Sequence, residues 1–424
     1  MSVFEKLESE VRSYCRGWPA VFGRAVGSRL YDERGRAYLD FFAGAGSLNY
    51  GHNNPVLKQA LLEYLTADGI TQALDMSTEA KGELLETFAE LVLKPRVLDY
   101  KVQFPGPTGT NAVESALKLA RKVTGRRTVV SFTNAFHGMT LGSLAVTGNA
   151  AKRRGAGVPL TDALAIPYDG YLGAGAPDFG LLERMLTDRG SGLELPAAVI
   201  VETVQGEGGV NVARREWLRA LAELCRQHEI LLIVDDVQMG CGRTGAFFSF
   251  EEAGLTPDIV VLSKSIGGYG LPMALTLLRP DLDVWEPGEH NGTFRGNNLA
   301  FVTATAALRS YWADDALERG TLAKGERVRG VLAELAAGIP GAEVRGRGLV
   351  QGLALPVPQW AGLAARAAYR RGVLVETSGA EGQVLKLMPP LTVTDEELTE
   401  GLAVLADSVR EAVERAPEEL GALG

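Results

Sequence analysis

Three short stretches bring together residue types that could do chemistry as a set. The first is Gly106-Pro107-Thr108-Gly109-Thr110-Asn111, which leads into a helical pattern over 111–122. Free backbone amides at a helix start bind anions, and glycine lets a ligand approach the main chain. A phosphate held by Gly109 and Thr110 is the functional reading, and a plain capped helix start would look the same. The second is Leu231–Gln238, an apolar run that delivers Asp235 and Asp236 at its carboxyl end. Strand alternation points the two acids to opposite sides. Buried acids are nearly always paired, so one of them could meet a cationic ring nitrogen; a capping acid or a metal ligand would suit the place equally. The third is Lys264, directly after an apolar run and before Gly267, Gly268 and Gly270. Burial lowers the pKa of a lysine and makes its amine a nucleophile toward aldehydes. A phosphate, a ring nitrogen and an aldehyde are the three handles of pyridoxal 5′-phosphate.

Placing these residues requires a framework of alternating strands and helices. Runs at 100–104, 128–132, 197–202, 231–236 and 258–263 read as short strands, the last four rich in β-branched residues and buried on both faces. Helical patterns at 111–122 and 215–228 lie between them. Strands alternating with helices predict βαβ units on a mostly parallel sheet, with ligands beyond the carboxyl ends of the strands. Residues 29–42 read as a hairpin, 301–336 as a long helical stretch, and 395–419 as a solvated amphipathic helix. The expected division is a large domain over 61–305 and a smaller α/β domain built from 1–60 and 306–424.

Composition narrows the field. Glycine is the outlier, 51 of 424 residues, as expected where many tight turns and close approaches surround a ligand. The net charge of −9 argues against a nucleic-acid partner. Three cysteines without a CxxC pair argue against a disulfide framework and fit a reducing cytoplasm. No run reaches the ~18 apolar residues of a membrane span, and the amino-terminal residues lack the apolar core of a signal peptide. There is no nucleotide P-loop and no dinucleotide fingerprint; Gly346-Arg347-Gly348 lacks the third glycine. The four histidines show no metal spacing, so no metal site is expected.

In order along the chain, the sequence resembles the class-III pyridoxal-phosphate aminotransferases of fold type I. The resemblance rests on Gly27 to Asp40, Gly51-His52, Phe136-His137-Gly138, Glu202 to Gly209, and Asp235-Asp236-Val237-Gln238 followed by Gly242-Arg243-Thr244-Gly245. Lys264, Gly292 to Asn297 and Arg345 to Leu349 complete it. It implies that Lys264 bonds the cofactor and shuttles the proton, with Asp235 at the ring nitrogen and Gln238 at the ring hydroxyl. Val237 and Phe136 would pack on the two ring faces, with His137 and Glu202 beside them. Gly109 and Thr110 would hold the phosphate, helped by Thr293 of a neighbouring subunit, so a homodimer or higher assembly with a shared site is implied. Glu207 matches a glutamate gate near the substrate carboxylate. Small amino acids and oxo acids are the expected partners.

Within the family, the strings at 7–16, 41–55, 104–126, 132–149 and 285–298, and Glu376-Thr377-Ser378-Gly379, resemble the diaminobutyrate-forming branch of ectoine synthesis. The alternative is another ω-transaminase, acting on ornithine, acetylornithine, GABA or a natural-product intermediate. Four positions depart from the family pattern: Met139 and Lys386 stand where relatives carry arginines, Asp236 where they carry glutamate, and Gln72 where the branch carries histidine. Arg295 and Lys386 are therefore the cations expected to meet a substrate carboxylate.

Overall fold

The computed structural model describes residues 2–173 and 179–420. A seven-stranded sheet forms the centre. Its order from edge to edge is Lys101–Gln103, Leu275–Leu278, Ile259–Leu262, Leu231–Asp235, Ala198–Val201, Val129–Phe132 and Ala163–Ile166. The run from Ile259–Leu262 to Ala163–Ile166 is parallel throughout. Leu275–Leu278 runs antiparallel to both of its neighbours, so the sheet is mixed at one side. That strand and the edge strand Ala163–Ile166 were not anticipated. The first lies only twelve residues after its partner, close enough to fold back without a helical crossover, and the second is only partly buried and reads weakly.

The helix Gly109–Thr124 begins with Thr108 and Asn111 in a capping box and stops at Gly125, whose φ of 67° suits glycine. It packs on the central strands through Ala112, Val113, Ala116, Leu117 and Ala120. On the opposite face, Trp217, Leu218 and Leu221 of Arg215–Gln227 join a core with Phe132, Val199 and Val234. Because both faces of the sheet are covered, its central strands are continuous apolar runs rather than alternating ones.

A second apolar core draws on both chain ends. It joins Leu39 and Phe41 to Leu332, Leu353, Leu385, Leu398 and Leu405. The strands Phe22–Val26, Arg29–Asp32 and Ala37–Asp40 form an antiparallel set, and the last adds Val373–Leu374 in parallel. A separate sheet joins Glu343–Arg347, Val350–Ala354, Val384–Leu387 and Glu376–Ser378. The expected helical stretch at 301–336 is two helices, Asn298–Tyr311 and Ala316–Ala337. The break falls at Trp312, which turns inward to donate from its indole to Tyr50 Oη at 2.9 Å, while Asp314 accepts from the amide of Ala316. Among the described residues, no helix is long and apolar enough to cross a membrane.

Candidate active site

Lys264, Asp235 and Gly109 come together at one cavity of about 340 Å³. Asp235 ends one parallel strand, and Lys264 follows the next after Ser263. Gly109 opens the helix that packs beneath them. Ligands in open α/β sheets bind at this carboxyl edge because the strand ends there present side chains and the helix starts present amides.

The amides of Gly109 and Thr110 are among the first in their helix and have no intrahelical acceptor. A Cβ added to Gly109 would lie 2.8 Å from Val237 Cγ1, so only glycine leaves this wall where it is. The Thr110 hydroxyl bonds Thr140 Oγ1 at 2.7 Å and Ser143 Oγ at 2.8 Å, which fixes its rotamer.

Asp235 is buried, and its two oxygens are divided between two partners. Oδ1 accepts from the amide of Val237 at 3.1 Å, and Oδ2 lies 2.7 Å from His137 Nδ1. Burial opposes charge on His137, yet its hydrogen bond to Asp235 and the nearby carboxylates outweigh this and raise its pKa. Behind it, Glu202 accepts from the amide of Phe136 at 3.0 Å. Burial pushes this carboxyl up to about 8, which favours its protonated form. Asp236 faces the other way, as alternation requires. It accepts from the amide of Ser249 at 3.0 Å and burial brings it to about 7. Asp235 lines the cavity and Asp236 does not.

Lys264 has a φ of 55°, a strained conformation for a side-chain-bearing residue and one that recurs at functional positions. Burial, followed by the charge of Lys386, lowers its pKa, against the pull of Glu207, Glu376 and Asp235. An amine held this way is more often unprotonated, and so available as a nucleophile and proton acceptor, than that of a surface lysine.

Phe136, Val237, Gln238, Glu202 and Glu207 also line the cavity. Gln238 Nε2 donates to Ala45 O at 3.0 Å and to Glu207 Oε1 at 3.1 Å. Lys152 Nζ sits 4.1 Å from the centre of the Phe136 ring. Burial alone would raise Glu207, but Lys386 and Lys264 bring its carboxyl down to about 2.

Three expected residues stand elsewhere. Thr293 and Arg295 are outside the cavity lining, on the short turn Thr293–Arg295. The Thr293 carbonyl accepts from Gln72, and Arg295 donates to Asn291 Oδ1 at 3.0 Å. Lys386 is not a free cation at the pocket wall. Its side chain has no solvent exposure and lies 2.7 Å from Glu207 Oε1 and 2.9 Å from Glu376 Oε1. In the sequence, Glu376 carries no signal of its own beyond the string Glu376-Thr377-Ser378-Gly379. Its pairing partner became readable once the strands Glu376–Ser378 and Val384–Leu387 were in register. Ser47, Val204, Met239 and the segment Gly270–Met273 also line the cavity.

A family model described as aminotransferase class-III matches residues 15–409. The chain belongs to the class-III aminotransferases. Among curated relatives of this aminotransferase, one from Streptomyces avermitilis named diaminobutyrate–2-oxoglutarate transaminase is 68% identical over 97% of this chain and 98% of its own length. Another of that name, from Halalkalibacterium halodurans, is 58% identical over 98% and 97%. Among solved structures, an ornithine aminotransferase from Toxoplasma gondii is 29% identical with a TM-score of 0.84, covering 97% of this chain and 94% of that one. The aminotransferase is pyridoxal-phosphate-dependent, as its family is. The residues present fit that cofactor. The glycine-lined helix start suits a phosphate, and the Asp235 carboxylate, steadied by His137, suits a protonated ring nitrogen.

Proposed function

We propose that this aminotransferase moves the amine of L-glutamate to L-aspartate 4-semialdehyde, giving 2-oxoglutarate and L-2,4-diaminobutyrate. The observation that carries the reading is identity of 55–68% over nearly the full length with relatives bearing that activity in their name. A cytoplasmic role as the first committed step of ectoine synthesis goes with it.

When bound, pyridoxal phosphate supplies an electron-withdrawing ring that acidifies the carbon–hydrogen bond beside a substrate amine. The residues of the chain do the rest. Lys264 Nζ holds the cofactor at rest and is the base that takes the proton from the amine-bearing carbon of the substrate. Asp235 would keep a proton on the ring nitrogen, and the His137 hydrogen bond holds that carboxylate in place. Gly109 and Thr110 would anchor the phosphate end, Val237 and Phe136 would limit tilt of the ring, and Gln238 would orient its hydroxyl. Burial of Glu202 favours its protonated form, which limits the negative charge beside Asp235. Donor and acceptor use the same pocket in turn, so the kinetics are ping-pong.

The assignment of Thr293 to the phosphate of a neighbouring copy belongs to the same proposal. It is supported by the exposure of Ile70, Leu74, Met76 and Phe294 where the segment around 70–76 packs on the turn at 293–296. Exposed apolar side chains gathered in one area mark an interaction surface. Arg295, on the same turn, would reach a substrate carboxylate only across that interface. The division into 61–305 as cofactor domain and 1–60 with 306–424 as the smaller domain is proposed with it.

A donor and acceptor screen tests the substrate. L-2,4-diaminobutyrate with 2-oxoglutarate should give the highest kcat/KM. Higher values for ornithine, the reaction named for the Toxoplasma gondii structure, would replace the substrate and keep the chemistry.

A further inference from the structure

Glu376 and Lys386 are direct partners across two antiparallel strands. The ammonium of Lys386 makes an aligned hydrogen bond to Glu207 at 2.7 Å. Its 2.9 Å contact with Glu376 is an ion pair without hydrogen-bond alignment, so it supplies charge more than direction. The side chains are 0%, 7% and 21% exposed for Lys386, Glu376 and Glu207. Of the three, only Glu207 lines the cavity. Burial raises the pKa of Glu376 and Lys386 opposes the rise; with both carboxylates ionised, one ammonium between them leaves one negative charge in excess, and Glu207 is the member that faces the cavity.

The second carboxylate changes what Glu207 is free to do. With Glu207 as its sole partner, Lys386 would become a bare buried cation whenever that side chain turned away, which is strongly unfavourable. Glu376 removes that obstacle. The main chain of Glu207 is held separately, because its carbonyl accepts from the amide of Gly379 at 3.1 Å, just beyond Glu376. The other groups facing Glu207 are the amide of Gln238 at 3.1 Å, the amine of Lys264, and the phenol of Tyr14, which lies in the field of both carboxylates. With Lys264 engaged in holding the cofactor, none of these supplies a second permanent cation.

We propose that Glu376 is a positioning residue that keeps Lys386 neutralised and leaves Glu207 to bind the second, non-reacting ammonium of a diamino acid substrate. The proposal rests on the transaminase reading and deepens it: the pocket selects amine donors that carry another ammonium.

The experiment uses the cofactor-loaded enzyme with L-2,4-diaminobutyrate, L-ornithine and 4-aminobutyrate, the last lacking the second ammonium. Binding is read from the absorbance change of bound cofactor, and turnover with 2-oxoglutarate is read separately. Glu376→Gln returns the charge of Lys386 to Glu207. Apparent Kd and KM for both diamino acids should rise about tenfold or more, as loss of a close charge pairing does, while 4-aminobutyrate stays unchanged. Glu376→Asp should restore the wild-type values. The double variant Glu376→Gln with Lys386→Met again leaves Glu207 alone, and it should keep the diamino preference even if the single variant folds poorly. Equal shifts for all three amines, or no shift, would overturn the proposal. A wild-type enzyme inactive on diaminobutyrate would overturn the substrate reading instead, with the ornithine to 4-aminobutyrate comparison still judging Glu376.

Discussion

Two groups of buried charge sit on either side of Lys264, and they are built on opposite plans. Asp235, His137 and Glu202 stand at the ends of strands or just beyond them in one sheet. There Asp235 bonds His137, Glu202 accepts from the amide of Phe136, and burial favours the protonated form of Glu202. Glu207, Lys386 and Glu376 come from a loop between two short strands and from a different sheet, and their lysine is fully enclosed by carboxylates. The first group is suited to holding a proton on a ring nitrogen. The second holds a charge arrangement against which a substrate can be sorted. Strand ends fix a rigid cofactor frame, whereas a loop set against a second sheet can adapt its outermost side chain without disturbing that frame.

The largest expected effect lies between the groups. Lys264→Ala should abolish the absorbance of lysine-bound cofactor and lower turnover by about 10⁴-fold, the upper range for losing a positioned acid–base group. Retained turnover in that variant would remove Lys264 from both groups. Next comes Lys386→Met, which leaves two buried carboxylates without their cation. Chemical denaturation at pH 7 should show a loss of about 3–5 kcal/mol, as for other broken buried pairs, and the loss should shrink in acid as one carboxyl takes up a proton. A loss under 1 kcal/mol would mean that the second group is far more open to water than its burial indicates.

Gly109→Ala tests the rigidity of the cofactor side. The new methyl meets Val237 at 2.8 Å, so cofactor affinity should fall by about 1–3 kcal/mol, read by equilibrium dialysis. Unchanged affinity would show that this wall gives way. The smallest effect at neutral pH is expected for Glu202→Gln, since the native carboxyl is already neutral there. Glu202 has a folded-state pKa near 8, above its ordinary 4.5. Its contribution to stability is therefore full below about pH 4.5 and is lost as pH rises through about 8. Thermal midpoints of the glutamine variant should gain on the wild type across that window. A constant difference from pH 4.5 to 8 would place Glu202 in the ionised state and erase the contrast between the groups.

Much of the cofactor side was readable from residue order. Apolar runs ending in Asp235 and Lys264, and a glycine turn before a helical pattern, are local signals, because a strand and the residue at its end are neighbours in sequence. Alternation separated Asp235 from Asp236, and their opposite surroundings in the structure follow from the same pleat. The antiparallel strand Leu275–Leu278 and the break at Trp312 were not readable, because the first depends on which edge it joins and the second on an indole reaching Tyr50.

By itself the sequence determined the sheet-and-helix plan, the family and the lysine–acid–glycine order. These are encoded within runs of a few residues, where periodicity and turn chemistry act. Only the tertiary structure decided that Lys386 is an enclosed counter-charge rather than an exposed anchor, and that Glu376 is its second partner. The charge state of a buried group depends on what surrounds it in space, and here Lys386 meets Glu376 from the neighbouring strand and Glu207 from a separate loop, each within 3 Å only once the chain has folded.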